Sequence, residues 1–276
     1  MRNRTRRESL YHFALALPVL LVLIPVAWTF LTSIKYFKDI VSNKFAFTPT
    51  LFNFINLFVE DEHFGSMFAN SLAVALMSTI VCLIVTTLGS YSLSRFKWNK
   101  TFVRFLFGWS IAIETIPAIT IVIPIFMAAN TFDLIDTKGL LVLVYSLLNL
   151  PFTLMLMYSF FNQVPKEIEE SALMDGAREW TLFLRIILPL TKPILLTSAL
   201  FAFILSWKDF LMALNLTSTP NSMTLNVKIS AFIQSYSIQY GNMTAAAVLG
   251  AVPGLLFAIF AQRYIVAGIL SGAIKE

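Results

Sequence analysis

The sequence predicts an all-α, polytopic membrane protein with six transmembrane helices. Three observations carry that prediction. The 276 residues are 58% hydrophobic and only 13% charged, whereas soluble domains run to about 25% charged and about 45–50% apolar. The apolar residues gather into six runs, each near the roughly 20 residues that span a bilayer. In hydrocarbon every backbone N–H and C=O must be satisfied within the segment, which makes such runs helices.

Taken in order, the first run, 13–31, is longer than the apolar core of a signal peptide. It has no small-residue cleavage site ahead of Lys35, so it reads as a retained helix. The second, 72–91, holds Cys82, the only cysteine, which excludes an intrachain disulfide. The third, 105–127, contains Pro117 and Pro124. Each proline removes one helical hydrogen bond and kinks the helix unless neighbours compensate. The fourth and fifth runs are 140–161 and 194–214. The sixth, 243–261, carries Pro253 and a Gly250-x-x-x-Gly254 pair whose spacing allows close helix packing. Six such spans occupy about half the chain, so the whole reads as one transmembrane domain, 1–276, with a cytoplasmic loop at 164–189 set into it.

Charge gives the orientation. Arg2, Arg4, Arg6, Arg7, Arg95, Lys97, Lys100, Arg104, Lys166, Arg178, Arg185, Lys192, Arg263 and Lys275 fall on one side of the six-span pattern. Lys35, Lys38, Lys44, Lys138 and Lys228 fall on the other. The positive-inside rule then puts both termini in the cytoplasm. It also accounts for the net charge of +5 without a nucleic-acid partner.

The 164–189 loop is the most informative stretch. Pro165 suits the first position of a helix, where its missing N–H costs nothing. Glu167, Glu169 and Glu170 follow in the first turns, complementing the positive end of the helix dipole. Asp175-Gly176 breaks the helix, glycine taking the left-handed geometry of a sharp helix end. Beyond it Trp180, Phe183, Leu184, Ile187 and Leu188 share one helical face, expected against the bundle, and Pro189 ends that helix.

Glu170-Ser171-Ala172-x-x-Asp175-Gly176-Ala177, then nine residues, then Ile187-Leu188-Pro189, resembles the "EAA" motif of bacterial ATP-binding cassette (ABC) importer permeases. Serine replaces the first alanine of the motif. Asn70-Ser71-Leu72, Tyr91-Ser-Leu-Ser-Arg95-Phe96, Ser206-Trp207-x-Asp209-Phe210, Gln262-Arg-Tyr264 and Gly268-x-x-x-Gly272-Ala273 extend the resemblance over nearly the whole chain, to the maltose-type second permease of carbohydrate uptake. The resemblance implies a type I ABC importer permease fold in the bacterial inner membrane. It implies a heterodimer with a second permease, two ABC ATPase subunits that hold ATP and Mg, and an extracytoplasmic solute-binding protein. Glu167, Glu170, Ser171, Ala172, Asp175, Gly176 and Ala177 would then form the coupling helix that sits in a groove of the ATPase. The outer segment 215–242 would enter the cleft of the binding protein, with Asn221, Ser222, Gln234 and Tyr236 as contacts; a lid packed on its own bundle is the competing reading.

No cofactor is expected on this chain. It has no G-x-x-x-x-G-K-[ST] phosphate cradle, and His12 and His63 have no Cys or His at metal-ligand spacing. No nucleophile–base pair supports an enzyme. Charges inside spans are candidates for function. Here these are Glu114 beside Pro117, and Lys208 with Asp209 in the fifth run; Asn149 joins them as a candidate for the substrate path. In the resembling family a small polar residue, often asparagine, occupies the place of Lys208. Lys208 is open to three readings: an ion pair with Glu114 or with an acid on a partner, a cation facing the cavity that favours an anionic sugar derivative, or snorkelling to the interface. A secondary transporter or channel subunit is the alternative class. Only Glu114 and Asp209 could then serve as its intramembrane ion site.

Overall fold

The computed structural model describes the backbone of residues 2–233 and 238–273, and side chains over 15–233 and 238–262. The described chain is helical throughout, apart from one isolated bridge between Ile233 and Ile238. In order it forms α1 (Arg2–Ser33), α2 (Phe37–Val41), α3 (Phe52–Val59), α4 (Phe64–Arg95), α5 (Lys100–Thr115), α6 (Ala118–Thr131), α7 (Lys138–Phe161), α8 (Lys166–Met174), α9 (Glu179–Leu182), a π-helical turn (Phe183–Ile187), α10 (Leu188–Leu190), α11 (Lys192–Lys208), α12 (Leu211–Leu216), α13 (Leu225–Ala231) and α14 (Tyr240–Ala273). Four helices are individually long and apolar enough to cross a membrane, and six spans result when each of two sharply bent helix pairs is one span.

Those bends revise two of the runs read from sequence. The third is not one kinked helix: α5 and α6 meet at 103°. Ile116, caught before Pro117, is extended (φ −75, ψ 127), because the proline ring crowds the helical conformation of the residue preceding it. Pro124, by contrast, is absorbed inside α6. The fifth run also stops early. Helix α11 ends at Lys208, and Asp209 turns extended (φ −64, ψ 135) before α12 begins. A second bend of 73° lies ahead of Lys192.

The chain divides into two compact units, residues 1–65 with 228–252, and residues 66–227 with 253–276. In the first, no residue of α1 from Leu15 to Leu31 is buried, and only Thr32 and Ser33 at its end are. The end of α1 is held by Asn53, whose Nδ2 donates to the carbonyls of Ser33 and Lys35, both at 2.8 Å. Lys35 reaches back to the carbonyl of Lys44 at 2.9 Å, its ammonium 5.0 Å from the Trp28 ring centre and 4.7 Å from that of Phe47.

The second unit has two apolar cores. One gathers Val74, Leu141, Val144, Met212 and Leu216 from α4, α7 and α12. The other gathers Met157, Phe161, Ala172, Phe183 and Ile187 from α7, α8 and the π turn. Between them runs a polar junction. Ser78 Oγ of α4 donates to Ser206 Oγ of α11 at 3.0 Å, Asn149 Nδ2 of α7 donates to the same oxygen at 2.9 Å, and Ser146 Oγ donates to the Ser78 carbonyl at 3.1 Å. Three helices are thereby fixed in register where apolar packing alone would let them slide.

Candidate functional site

The loop after α7 builds the first part of the site. Pro165 stands just ahead of α8 as its cap, one place earlier than the sequence reading had it. Glu167, Glu170, Ser171 and Asp175 are exposed, whereas Ala172 is buried in the α7–α8 core and Ala177 is half-buried. The helix ends in a Schellman turn: Gly176 N–H donates to the Leu173 carbonyl and Ala177 N–H to the Ala172 carbonyl, each at 3.0 Å. Gly176 has φ +83, the left-handed geometry the sequence required there.

The helix that follows differs from the reading. Its buried residues are Leu182, Phe183 and Ile187, while Trp180 is 69% and Leu184 52% exposed. The phase slips because Leu188 N–H bonds five residues back, to the Phe183 carbonyl, in a π turn. Pro189 explains the widening, since it lacks an N–H and its ring crowds the carbonyl four residues earlier. A pattern of period 3.6 cannot register the extra residue.

A contact that sequence reasoning missed fastens this loop. Arg95, the last residue of α4, places Nε 2.6 Å from Glu169 Oε1. Its Nη1 donates to the Phe161 carbonyl at 3.0 Å and its Nη2 to that of Val164 at 3.1 Å. Tyr91 Oη, one turn earlier, donates to Glu169 Oε2 at 3.4 Å, and its ring packs on Phe161 and Phe183. The charged side chains are 8% and 11% exposed. Each residue looked ordinary in sequence, Arg95 as a basic residue at a span end and Glu169 as a first-turn carboxylate. Nothing local pairs them.

The second part of the site is a pocket of about 590 Å³ in the same unit. Glu114, Asn149, Lys208 and Asp209, four residues separated by up to 95 positions in sequence, all line it. Their states differ. The carboxylate of Asp209 is engaged, Oδ1 accepting from Tyr145 Oη at 2.8 Å and from the N–H groups of Met212 and Ala213 at 3.1 and 3.3 Å. It thus caps α12 and makes the break after α11. Asn149 is buried and tied to Ser206. Glu114 and Lys208 are exposed to the pocket side. Among the described residues no ion pair joins Lys208 to Glu114, so the structure does not bear out that pairing within this chain.

The third part is the outer segment. Asn221 is exposed, but Ser222 is 2% exposed and donates to Asp136 Oδ1, so it is a structural bond rather than a surface group. Asp136 also accepts from Ser218 N–H at 2.8 Å, Thr219 N–H at 3.0 Å and Thr219 Oγ1 at 2.7 Å. Partial burial works to raise this carboxyl, but the hydrogen bonds outweigh it and hold it well below the usual carboxylate range. Gln234 and Tyr236 lie outside the described residues.

Comparison with known proteins decides the family. The profile of the "binding-protein-dependent transport system inner membrane component" matches residues 86–271. The chain belongs to that family. Within it, this binding-protein-dependent permease is 33% identical over 273 residues to a trehalose transport system permease of Mycobacterium tuberculosis, covering 98% of each chain. It is 30% identical over 266 residues to a sulfoquinovosyl glycerol transport system permease of Agrobacterium fabrum, covering 95% of this chain and 92% of that one. The permease fold also matches a solved chain of a bacterial ABC transporter that imports the acidic polysaccharide alginate, with a TM-score of 0.81 at 20% identity over 96% of this chain and 98% of that one. The fold is that of an ABC importer permease, and the protein is a multi-pass inner-membrane component.

Proposed function

We propose that this permease passes a sugar or sugar derivative through the pocket lined by Glu114, Asn149, Lys208 and Asp209, driven from the α8 loop by a partner ATPase. The chain is a permease subunit of a carbohydrate-uptake ABC importer. The observation that carries this is the family match over 86–271, continued over nearly the whole chain by relatives named for sugar transport. No finding favours a secondary transporter or channel.

The family name itself carries dependence on a binding protein, which acts from the outer side. A second permease and two ATPase subunits, which hold ATP and Mg, complete the assembly, as the resemblance to the maltose-type permeases implies. The charge asymmetry supports both termini lying in the cytoplasm. Helix α8 is the coupling helix: its exposed Glu167, Glu170, Ser171 and Asp175 face outward from a base anchored through Ala172 and the ion pair of Glu169 with Arg95. The outer segment meets the binding protein through Asn221 and neighbouring residues. An affinity tag on this chain, used to isolate the complex from native membranes, tests the assembly. A second permease and an ABC ATPase should co-purify in fixed stoichiometry, and purification of this chain alone or as a homo-oligomer would overturn the reading.

A further inference from the structure

We infer that Arg95 and Glu169 form the pin that transmits movement of the coupling helix to the helices walling the substrate pocket. The inference rests on α8 being the coupling helix. The residues concerned touch neither substrate nor nucleotide; they are positioning residues.

Arg95 uses the whole guanidinium fork, and each arm goes to a different piece of structure. Nε goes to α8 through Glu169, Nη1 to the end of α7 through the Phe161 carbonyl, and Nη2 to the α7–α8 connection through the Val164 carbonyl. Arg95 itself is the end of α4. One side chain therefore ties α4, α7 and α8 together at a single point, with Tyr91 and the rings of Phe161 and Phe183 packed around it. A planar fork holds direction as well as distance, which a lysine ammonium does not.

The same two long helices are tied again at the pocket. About 18 Å along α7 from Phe161, Asn149 lines the pocket and bonds to Ser206. Ser78 of α4 meets the same Ser206 oxygen, and Ser146 of α7 bonds to the Ser78 carbonyl. Helices α4 and α7 are thus pinned to each other at both ends of one lever. Its lower end carries α8, and its upper end carries a pocket wall together with α11, whose last residue is Lys208. Packed helices with discrete polar ties shift as bodies rather than deform. A displacement of α8 then reaches the pocket as long as the lower pin holds. With the pin gone, α8 remains seated by Ala172 on its apolar core but is free to rock against α4.

The test uses the full complex in proteoliposomes. Removing one member leaves a buried charge unpaired, so the informative variant is the double replacement Arg95→Met with Glu169→Met. Arg95→Lys is the conservative companion, keeping the charge but not the fork. Basal ATPase, ATPase stimulated by loaded binding protein, and uptake are read per assembled complex, so loss of folding does not count as uncoupling. The double variant should keep basal ATPase within about twofold of the parent and lose about tenfold or more in stimulation and uptake, in the range of measured coupling between sites; Arg95→Lys should fall between. Equal stimulation per complex in the parent and both variants overturns the pin. Absence of stimulation in the parent overturns the coupling-helix reading instead.

Discussion

Replacing Gly176 with valine puts a β-branched side chain at φ +83. Beyond its chain neighbours, no atom lies within 4 Å of a Cβ added there, so the cost at that carbon is backbone strain rather than a clash. Left-handed geometry costs an L residue about 1–2 kcal/mol, and a β-branched residue stands at the upper end or beyond it. That energy changes the population of the Schellman turn by a factor of about 5–30, and both bonds of the turn, to Leu173 and Ala172, go with it. The turn lies between α8 and the buried Phe183, so its loss misdirects the acidic helix without removing the core that seats it. Stimulation of ATPase by loaded binding protein should fall in the order Gly, Asn, Ala, Val, because asparagine tolerates the left-handed region best after glycine. The assay is ATP hydrolysis by the reconstituted complex, normalised to assembled complex. Full stimulation with valine would show the turn to be dispensable for coupling.

Other expectations follow from particular contacts. Asp136→Ala removes the acceptor of four hydrogen bonds from residues 218–222; charged hydrogen bonds contribute about 1.5–3 kcal/mol each at most, so limited proteolysis should cut this segment faster than in the parent, and unchanged cutting would contradict the staple. Gly241→Ala places a methyl group against the Asn53 amide, which already holds the end of α1, so the melting temperature of the purified protein should drop; an unchanged value would mean that Asn53 yields freely. With Cys82 replaced by serine, cysteines at Asn221 and Ser171, both exposed, should react with an impermeant thiol reagent on intact spheroplasts only at the first; labelling of the second alone would invert the topology. Lys208→Asn removes the cation from the pocket, and competition by anionic over neutral sugars for uptake should weaken if the ammonium faces substrate; an unchanged preference would assign it to the interface or to a partner acid.

The parts of the fold set by local chemistry were legible in the sequence. Apolar runs marked the spans, and Asp175-Gly176 marked the left-handed turn because few other residues accept it. The breaks were harder. Pro117 and Pro124 lie in the same run, yet only the first ends a helix, since the outcome depends on whether neighbours support the freed carbonyl. The Asp209 carboxylate read as a charge in a span, while its work is to cap α12 after α11 stops. That Glu114, Asn149, Lys208 and Asp209 line one pocket could not be read from their positions in the sequence, which lie on three different helices and the break after the last of them. The Arg95–Glu169 pair was invisible because its members stand 74 residues apart, and the face of the helix after Gly176 was misread because a π turn shifts the period.

On the proposed function, this chain moves substrate only as part of an ATP-driven, binding-protein-dependent assembly. Uptake of labelled sugar into proteoliposomes holding the full complex tests it most directly, with ATP and loaded binding protein supplied on their respective sides. Uptake should disappear when ATP, the ATPase or the binding protein is left out, and should not respond to an imposed proton or sodium gradient. Gradient-driven uptake by this chain without the ATPase would contradict it.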